Sequence, residues 1–401
     1  MVFDMSAAFR SDLPPADGPW APPPPFSFVG GHNDRDSIPF GGLAEAAMSA
    51  LRREGRNLAT YNLGGSPLGY APLRHFVADA LGRRASMDCD AEEVLITSGS
   101  LQALDLVNAA FCAPGDTVLV EQATYGGMLG RLRRLGVDWE GVPLDEHGIV
   151  PSGLAAVLDD LAARGVTPKY LYTIPTVQNP TGSVLPVERR RAVLDLVRAH
   201  GVAVFEDECY ADLTWGCPRP PTIRALDDGG GQVVYCGSFS KSIGPALRVG
   251  YLVADPPVIR QLSALKSDAG TGALEQLTLA EFGPAHFDDH VDALMVALRS
   301  RCDAMLGAVA DEFGASVSVT PPQGGIYVWV TFPEGVDTAA LVAPAAAAGV
   351  EFNPGAGWSA DPADGSRRLR LCFGHVEPDV IRQGVAALAG VAREVTGLPL
   401  C

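Results

Sequence analysis

Residues 202–210 read Val-Ala-Val-Phe-Glu-Asp-Glu-Cys-Tyr, an apolar run that passes directly into three acids. A short run rich in β-branched and aromatic residues predicts a buried strand, here Val202 to Phe205. Burying a carboxylate is costly unless a cation or a donor meets it, so at least one of Glu206, Asp207 and Glu208 is expected to have a partner. A solvated loop is the alternative for Glu206 or Glu208.

Similar apolar runs recur along the chain between longer amphipathic segments. The strand candidates are Val94 to Thr97, Thr117 to Val120, Tyr170 to Ile174, Val202 to Phe205, Val233 to Cys236 and Val249 to Val253. Between two of them, Pro186 opens a predicted helix over Val187 to His200, and Gly201 stands where a helix C-cap favours positive φ. This alternation predicts βαβ units and an α/β fold with a mainly parallel central sheet flanked by helices.

The pattern changes towards both ends of the chain. A proline cluster within residues 1–25 predicts an extended arm, because proline fixes φ and removes a backbone donor. Residues 26–59 are expected to pack with a small domain, and residues 60–285 to form the large domain. Residues 286–401 are predicted to form a smaller α+β domain. Its predicted elements are a long helix near Val291 to Phe313, an alanine-rich helix over Ala339 to Ala348, and strands at Ile326 to Thr331 and Leu369 to Phe373.

Composition and charge exclude several classes of protein. The 401 residues, 47% of them hydrophobic, suffice for two or three units with large cores. A net charge of −17 without a long basic run argues against nucleic-acid binding, which depends on clustered Lys and Arg. The short arginine clusters at 131–134 and Arg189 to Arg191 are interpreted as solvated helix faces.

The eight cysteines show no CxxC pairing and no metal-ligand spacing with histidine. The sequence therefore predicts neither a metal site nor a disulfide framework, and favours a reducing cytoplasm. Asp4 and the prolines interrupt the N-terminus where a secretory signal would be apolar. Because no segment reaches 18 uncharged apolar residues, a membrane span is not expected.

Ligands in open α/β sheets bind at the carboxyl ends of the strands. After the first strand candidate, the turn Ser98-Gly99-Ser100-Leu101 runs into a predicted helix, whose free N–H groups suit a phosphate. Ordinary N-capping explains the same residues. After Ile174, the run Gln178-Asn179-Pro180-Thr181-Gly182 predicts a turn that serves either structure or function.

Lysine is scarce in this chain. Of 30 Lys and Arg residues, only Lys169, Lys241 and Lys266 are lysines, and Lys169 and Lys266 have surface-like neighbours. Lys241 ends the run Gly-Ser-Phe-Ser-Lys after a strand candidate, with Arg248 seven residues further on. The loops together predict a ligand with a phosphate, a partner for an acid and a group that bonds lysine. Pyridoxal phosphate meets all three requirements, because its aldehyde forms a Schiff base with an amine and its ring accepts electrons.

The ordered set of these motifs resembles the fold type I pyridoxal-phosphate enzymes, the aspartate aminotransferase superfamily. The runs at 178–182, 206–210 and 238–241 with Arg248 are similar to the branch that holds 2-aminoadipate and kynurenine aminotransferases and the aminotransferase-like half of MocR regulators. The resemblance covers roughly residues 26–395. It implies an aminotransferase that acts on an α-amino acid and a keto acid, as a homodimer with shared active sites.

The resemblance also implies cofactor roles, position by position. Lys241 would hold the cofactor as a Schiff base and move the substrate proton. Asp207 would pair with the pyridine nitrogen and keep it protonated, which strengthens the electron sink. Tyr210 and Asn179 would hydrogen-bond the ring oxygen, and Tyr125 would stack on the ring face. The residues implied for the phosphate are Gly99, Ser100, Leu101, Ser238 and Arg248, with Tyr61 contributed across a dimer interface.

For the substrate, the resemblance implies that Arg370 binds the α-carboxylate as a bidentate pair. Its neighbours Arg367 and Arg368 are interpreted as surface charges. Gly31, in a glycine pair, would line the substrate site together with Asn179. The side-chain pocket, expected from residues 32–38 and 352–358, does not identify the substrate.

Two positions depart from the pattern of this branch. Leu101 stands where the branch often has glutamine, so that only its backbone donor is left for a phosphate. Cys209 replaces a common proline or alanine. Neither change removes a catalytic group, so a cofactor-competent enzyme is expected.

Three other functions fit parts of the pattern. Elimination, decarboxylation or oxidative deamination of an amino acid would use the same fold, although Arg370 favours a substrate with a free α-carboxylate. A ligand-sensing MocR regulator would carry a basic winged-helix domain, where only about 25 proline-rich residues precede this fold. The run Ser238 to Lys241 also matches the S-x-x-K of penicillin-recognising enzymes, but no lysine supplies their K-T-G strand.

Overall fold

The computed structural model describes residues 4–10, 13, 16, 18–216 and 218–399. The strands are β1 (Phe26–Ser27), β2 (Val94–Thr97), β3 (Thr117–Glu121), β4 (Asp138–Val142), β5 (Leu144–Asp145), β6 (Gly148–Ile149), β7 (Tyr170–Thr173), β8 (Ala203–Asp207), β9 (Val233–Ser238), β10 (Gly250–Val253), β11 (Ser318–Val319), β12 (Tyr327–Thr331), β13 (Val350–Glu351), β14 (Asn353–Pro354) and β15 (Arg368–Cys372). The α-helices are α1 (Phe40–Glu54), α2 (Ala71–Ala85), α3 (Ser100–Phe111), α4 (Gly126–Leu135), α5 (Pro151–Ala163), α6 (Val187–Ala199), α7 (Pro256–Leu265), α8 (Ala273–Phe313), α9 (Val342–Ala347), α10 (Pro362–Gly365) and α11 (Pro378–Thr396).

The large sheet has the strand order β2-β10-β9-β8-β7-β3-β4. The pairs from β4 through β3, β7 and β8 to β9 are parallel, whereas β10 runs antiparallel to both of its neighbours. The predicted α/β class with a mainly parallel central sheet is confirmed.

Apolar clusters cover both faces of this sheet. Successive side chains of β3 point to opposite faces. Val118 and Val120 belong to the same buried cluster as Leu104 of α3, whereas Leu119 belongs to the cluster of Leu154 of α5. Because helices cover both faces, functional polar groups are left to the carboxyl ends of the strands.

The three acids of residues 206–208 are buried together, which departs from two predictions. Strand β8 extends to Asp207 instead of stopping at Phe205. Arg190 of α6 places Nη1 3.7 Å from Glu206 and 3.3 Å from Glu208, so the solvated-loop alternative was wrong for both glutamates. Arg190 is itself fully buried, so its predicted place on a solvated helix face was also wrong. The buried cation offsets two carboxylates that would otherwise be costly to bury.

A second, antiparallel sheet lies in the C-terminal part, in the order β11-β12-β15-β14. Strand β1 pairs in parallel with β13, so Phe26 lies against Val350. Helix α8 is 41 residues long and begins well before the predicted Val291, so the predicted boundary between residues 285 and 286 falls inside it. The alanine-rich stretch divides into a 3-10 turn, Thr338–Leu341, and the short α9.

The predicted arm over residues 1–25 is described in part. Pro14 and Pro15 lie outside the described residues, as do Cys217 and Cys401. Met5–Ala8 forms a short 3-10 helix, and residues 18–24 have no regular secondary structure. Among the described residues, no helix combines the length and the apolar character needed to cross a membrane.

Candidate active site

A cavity of about 480 Å³ opens at the carboxyl ends of the large-sheet strands and faces the small sheet. Most residues implied by the resemblance line it. The lining residues with a predicted role are Gly31, Ser100, Leu101, Tyr125, Asn179, Asp207, Tyr210, Lys241, Arg248 and Arg370. The structure thus brings together groups that are widely separated along the chain.

Asp207 closes the cavity at the end of β8. Its side chain is buried, accepts a 2.7 Å hydrogen bond from the Tyr172 hydroxyl and accepts a 3.2 Å bond from the Cys209 amide. Burial raises the pKa of Asp207, and the bonds from Cys209 and Tyr172 act against that rise. A cation placed beside this carboxylate would hold it ionised.

Lys241 follows β9 and reaches into the same space. Its Nζ donates a 2.6 Å hydrogen bond to the Gly31 carbonyl oxygen. Burial lowers the pKa of the Lys241 amine below its ordinary value of 10.5. A lowered pKa increases the neutral fraction of an amine, which is the nucleophilic form.

Arg248 and the N-terminus of α3 form a cationic end of the cavity. Gly99 is the N-cap of α3 with a φ of 79°, and a Cβ at this position would collide with the Arg248 guanidinium. The amides of Ser100 and Leu101, at the first turn, have no intrahelical acceptor. This helix end and the guanidinium together suit a dianionic phosphate.

Tyr210 and Asn179 meet beside Lys241. Asn179 Nδ2 donates to the Tyr210 hydroxyl over 3.4 Å, and the Lys241 ammonium nitrogen lies 5.8 Å from the centre of the Tyr210 ring. Tyr125, at the start of α4, forms another wall and packs at 5.8 Å, centroid to centroid, against Trp358.

Arg370 projects from β15 on the opposite wall and is buried. Its Nη1 donates to Asn179 Oδ1 over 3.0 Å, and Nη2 donates to Asn353 Oδ1 over 2.7 Å. The guanidinium carbon lies 3.9 Å from the ring centre of Tyr327 and 3.5 Å from that of Trp358. Within the described part of the chain, Arg370 Nε is buried without a partner. The arginine is held in place and keeps a donor for an anion.

Three residues with predicted roles do not line the cavity. Gly99 lies behind Arg248, and Ser238 Oγ accepts a 3.1 Å bond from the Ser240 amide. Tyr61 is 82% exposed on the outer surface. The surface position predicted for Lys266 was wrong, because its side chain is 4% exposed and lies 2.6 Å from Asp268.

The sequence motifs did not point to Tyr327, and they did not single out Asn353 or Trp358 within the predicted pocket segment at residues 352–358. Tyr327 lies on β12, next to β15, where Trp329 pairs with Arg370. The alternation along β12 puts residues 327 and 329 on one face, but the pairing register needed to join that face to Arg370 is not a local signal. Arg368 is half-buried rather than a free surface charge, and burial lowers its pKa.

Asp207, Cys209 and Cys236 bring three possible metal-ligand atoms within 4.8 Å of one another. Residue spacing did not predict this cluster, because neighbouring strands β8 and β9 assemble it. The pKa of the Cys209 thiol is raised by its hydrogen bond to Cys236 and by burial, which disfavours the thiolate form that metals prefer.

The polar side chains of the cavity fit both the phosphate and the ring of pyridoxal phosphate. The helix end with Arg248 suits the phosphate, Asp207 suits a protonated ring nitrogen, and Lys241 offers an amine. Gly31 leaves the necessary room, since a Cβ there would lie 2.6 Å from Lys241 Nζ.

Comparison with known proteins agrees with this geometry. The family model "Aminotransferase class I and II" matches residues 37–388. The 2-aminoadipate transaminase of Thermus thermophilus is 36% identical over 93% of this chain and 91% of its own, and the aromatic-amino-acid aminotransferase 1 of Thermococcus litoralis is 32% identical over 92% and 88%.

A solved structure extends the similarity to the fold. The α-aminoadipate aminotransferase LysN of Thermus thermophilus, complexed with N-(5'-phosphopyridoxyl)-L-leucine, superposes with a TM-score of 0.84 and 34% identity, covering 93% of each chain. The chain therefore belongs to the family of class I and II aminotransferases, fold type I enzymes that use pyridoxal phosphate.

Proposed function

We propose that this cavity transfers the amino group of an α-amino acid to a keto acid, with Lys241 as the reacting amine. The observation that carries the proposal is that Lys241 lines one cavity together with Asp207 of β8 and Arg370 of β15. When bound, the cofactor supplies an aldehyde that condenses with amines and a ring that accepts an electron pair.

Each wall has a separate task in this proposal. Asp207 would hold the proton on the ring nitrogen, and Tyr210 would donate to the ring oxygen. Arg248 with the α3 amides binds the phosphate, with Ser238 and Gly99 shaping that end from behind. Tyr125 covers one ring face. Each of these groups fixes the orientation of the cofactor and leaves the proton movement to Lys241.

Arg370 binds the substrate carboxylate. Its guanidinium is already oriented by Asn179 and Asn353 and is stacked between two aromatic rings, so little side-chain entropy is lost when a carboxylate binds. With the carboxylate fixed there, the neutral amine of Lys241 would take the proton from the substrate α-carbon and would later give it back.

A visible absorption spectrum followed by borohydride reduction and peptide mapping tests the role of Lys241. A reduced adduct on the peptide containing Lys241 is expected. A protein that stays colourless after reconstitution, or an adduct on Lys169 or Lys266, would contradict it. Addition of single amino acids should then convert the cofactor to its pyridoxamine form, and ammonia release without that conversion would contradict amino-group transfer.

We further propose a homodimer in the cytoplasm. Large apolar side chains are exposed along residues 40–61, the most exposed being Phe40 at 80% and Tyr61 at 82%, and this suits a surface that a second copy covers. The free cysteines among the described residues suit a reducing compartment. Sedimentation velocity should show a dimer that Leu58→Glu dissociates, whereas a wild-type monomer at micromolar concentration would contradict the dimer.

A further inference from the structure

The hydroxyl groups of Tyr210 and Tyr327 form a hydrogen bond that joins the two walls of the cavity. Their oxygens are 3.0 Å apart, both side chains are buried, and the rings pack edge to face with centroids 5.6 Å apart. Tyr210 follows β8 of the large sheet, whereas Tyr327 begins β12 of the small sheet.

Tyr327 also contacts Arg370 and faces the same space as Lys241. Arg370 stacks on its ring at 3.9 Å. A Cβ built on Gly31 would lie 2.6 Å from the Tyr327 oxygen and 2.6 Å from Lys241 Nζ, so these two atoms face the same small space. One side chain therefore contacts the carboxylate-binding arginine with its ring and Tyr210 with its hydroxyl.

We propose that Tyr327 is a positioning residue that directs the Tyr210 proton to the cofactor ring oxygen and joins this hydrogen bond to the carboxylate site at Arg370. The inference rests on the function proposed above. A hydroxyl has one proton and two acceptor positions. When Tyr327 and Asn179 donate to the Tyr210 oxygen, the single Tyr210 proton is left for the ring oxygen.

The direction of donation has a chemical consequence. A hydroxyl that accepts a hydrogen bond becomes a stronger donor itself. Tyr210 then stabilises the ionised ring oxygen better, and the nitrogen supplied by Lys241 loses its proton at lower pH. Without the Tyr327 hydroxyl, that nitrogen keeps its proton to higher pH.

Other titratable groups face the tyrosine pair and are kept constant in the test. They are Arg370 and Cys372 from β15, Cys209 after β8, Tyr125 before α4 and Lys241 after β9. Replacement of Tyr327 by phenylalanine leaves each of them in place and preserves the ring that stacks on Arg370.

The test is a pH titration of the visible absorption band of the cofactor-loaded protein. For Tyr327→Phe we expect the midpoint to rise by roughly half to one pH unit, from the net value of one hydrogen bond. The KM for the amino acid should stay close to that of the wild type, because the ring remains. Tyr327→Leu should raise this KM as well, since Arg370 then loses its stacking partner.

Two further variants decide whether the effect passes through Tyr210. Tyr170→Phe removes another buried hydroxyl, one that donates to Asn108 away from the cavity, and should leave the midpoint unchanged. In a Tyr210→Phe background, Tyr327→Phe should add no further shift. An unchanged midpoint in Tyr327→Phe, or an equal shift in both backgrounds, would overturn the inference. A wild-type protein without the visible band would instead count against the proposed function.

Discussion

One wall of the cavity belongs to the large parallel sheet, and the facing wall belongs to the small antiparallel sheet. On the first wall, Asp207 ends β8, Lys241 follows β9, and Arg248 precedes β10. Because β10 runs antiparallel to β9, its start lies at the same edge of the sheet as the ends of β8 and β9. On the second wall, Arg370 depends on Asn353, Tyr327 and a contact with Asn179 from the other sheet. The first wall is specified locally, whereas the second is assembled by pairing between distant segments.

The chemistry of the two walls differs accordingly. The first wall carries opposite charges and hydrogen-bond donors, which in the proposed function would hold the cofactor. The second wall holds the Arg370 cation between aromatic rings, and in the proposed function this cation would bind and release the substrate carboxylate. Changes on the first wall should thus affect the cofactor or the fold, and changes on the second should affect the amino acid.

The largest effect is expected for Lys241→Ala. Loss of the amine that moves the proton should lower turnover by roughly 10²- to 10⁴-fold. Lys169→Ala is the matched control, because Lys169 is exposed and pairs with Asp116 outside the cavity. Steady-state transamination of both variants checks this, and equal activities would remove Lys241 from the chemistry of the first wall.

The next effect concerns the fold of the first wall. Arg190→Ala would leave Glu206 buried with only backbone donors, while Glu208 keeps Arg219 at 3.6 Å, and should lower the free energy of unfolding by about 3–5 kcal/mol. Arg191→Ala removes an exposed neighbouring charge and should change it by less than about 0.5 kcal/mol. Urea unfolding measures both values. Equal stabilities would show that the buried carboxylates do not need Arg190.

A somewhat smaller effect is expected on the second wall. Arg370→Ala should lower kcat/KM by a factor that corresponds to about 2–4 kcal/mol, mainly through KM, while the visible spectrum and cofactor affinity stay unchanged. Arg367→Ala is the control, since Arg367 donates to the Phe332 carbonyl outside the cavity. A loss of cofactor from the Arg370 variant would contradict the division between the two walls.

The smallest effect is the pH dependence of the unfolding free energy that Glu121 causes, at the end of β3 in the large sheet. Burial raises the pKa of Glu121 from its ordinary 4.5 to about 7, against hydrogen bonds from Gln178 and Thr173. The folded protein then binds more protons than the unfolded chain between these pH values, so this group lowers stability as pH rises through that window. Across that window, the titration of Glu121 should lower the free energy of unfolding by roughly 1–3 kcal/mol.

Glu121→Gln should flatten that pH dependence between pH 4.5 and 7. Urea unfolding of both proteins at pH 5 and pH 7.5 measures the difference. An equal slope in the variant would show that Glu121 titrates normally.

The two walls were not equally predictable. Strand ends followed by Gly, Ser, Asp, Asn or Lys were enough to locate the first wall, since the carboxyl ends of parallel strands meet at one edge. The buried charge of Arg190 escaped prediction, because a helix pattern does not tell which arginine faces a buried acid on another element. Tyr327 escaped for the same reason, and so did the contact between Asn353 and Arg370, as only strand register places these residues beside Arg370.

Residue order and type thus specified the α/β class, the family and the lysine that stands at a strand end, because each of these depends on patterns only a few residues long. The folded chain added the buried Arg190 with its two glutamates, the aromatic stacking around Arg370 and the bond between Tyr210 and Tyr327. These features join segments that lie far apart along the chain. The interacting residues meet only when the chain folds. The free energy that each interaction contributes depends on burial, which no local sequence pattern specifies.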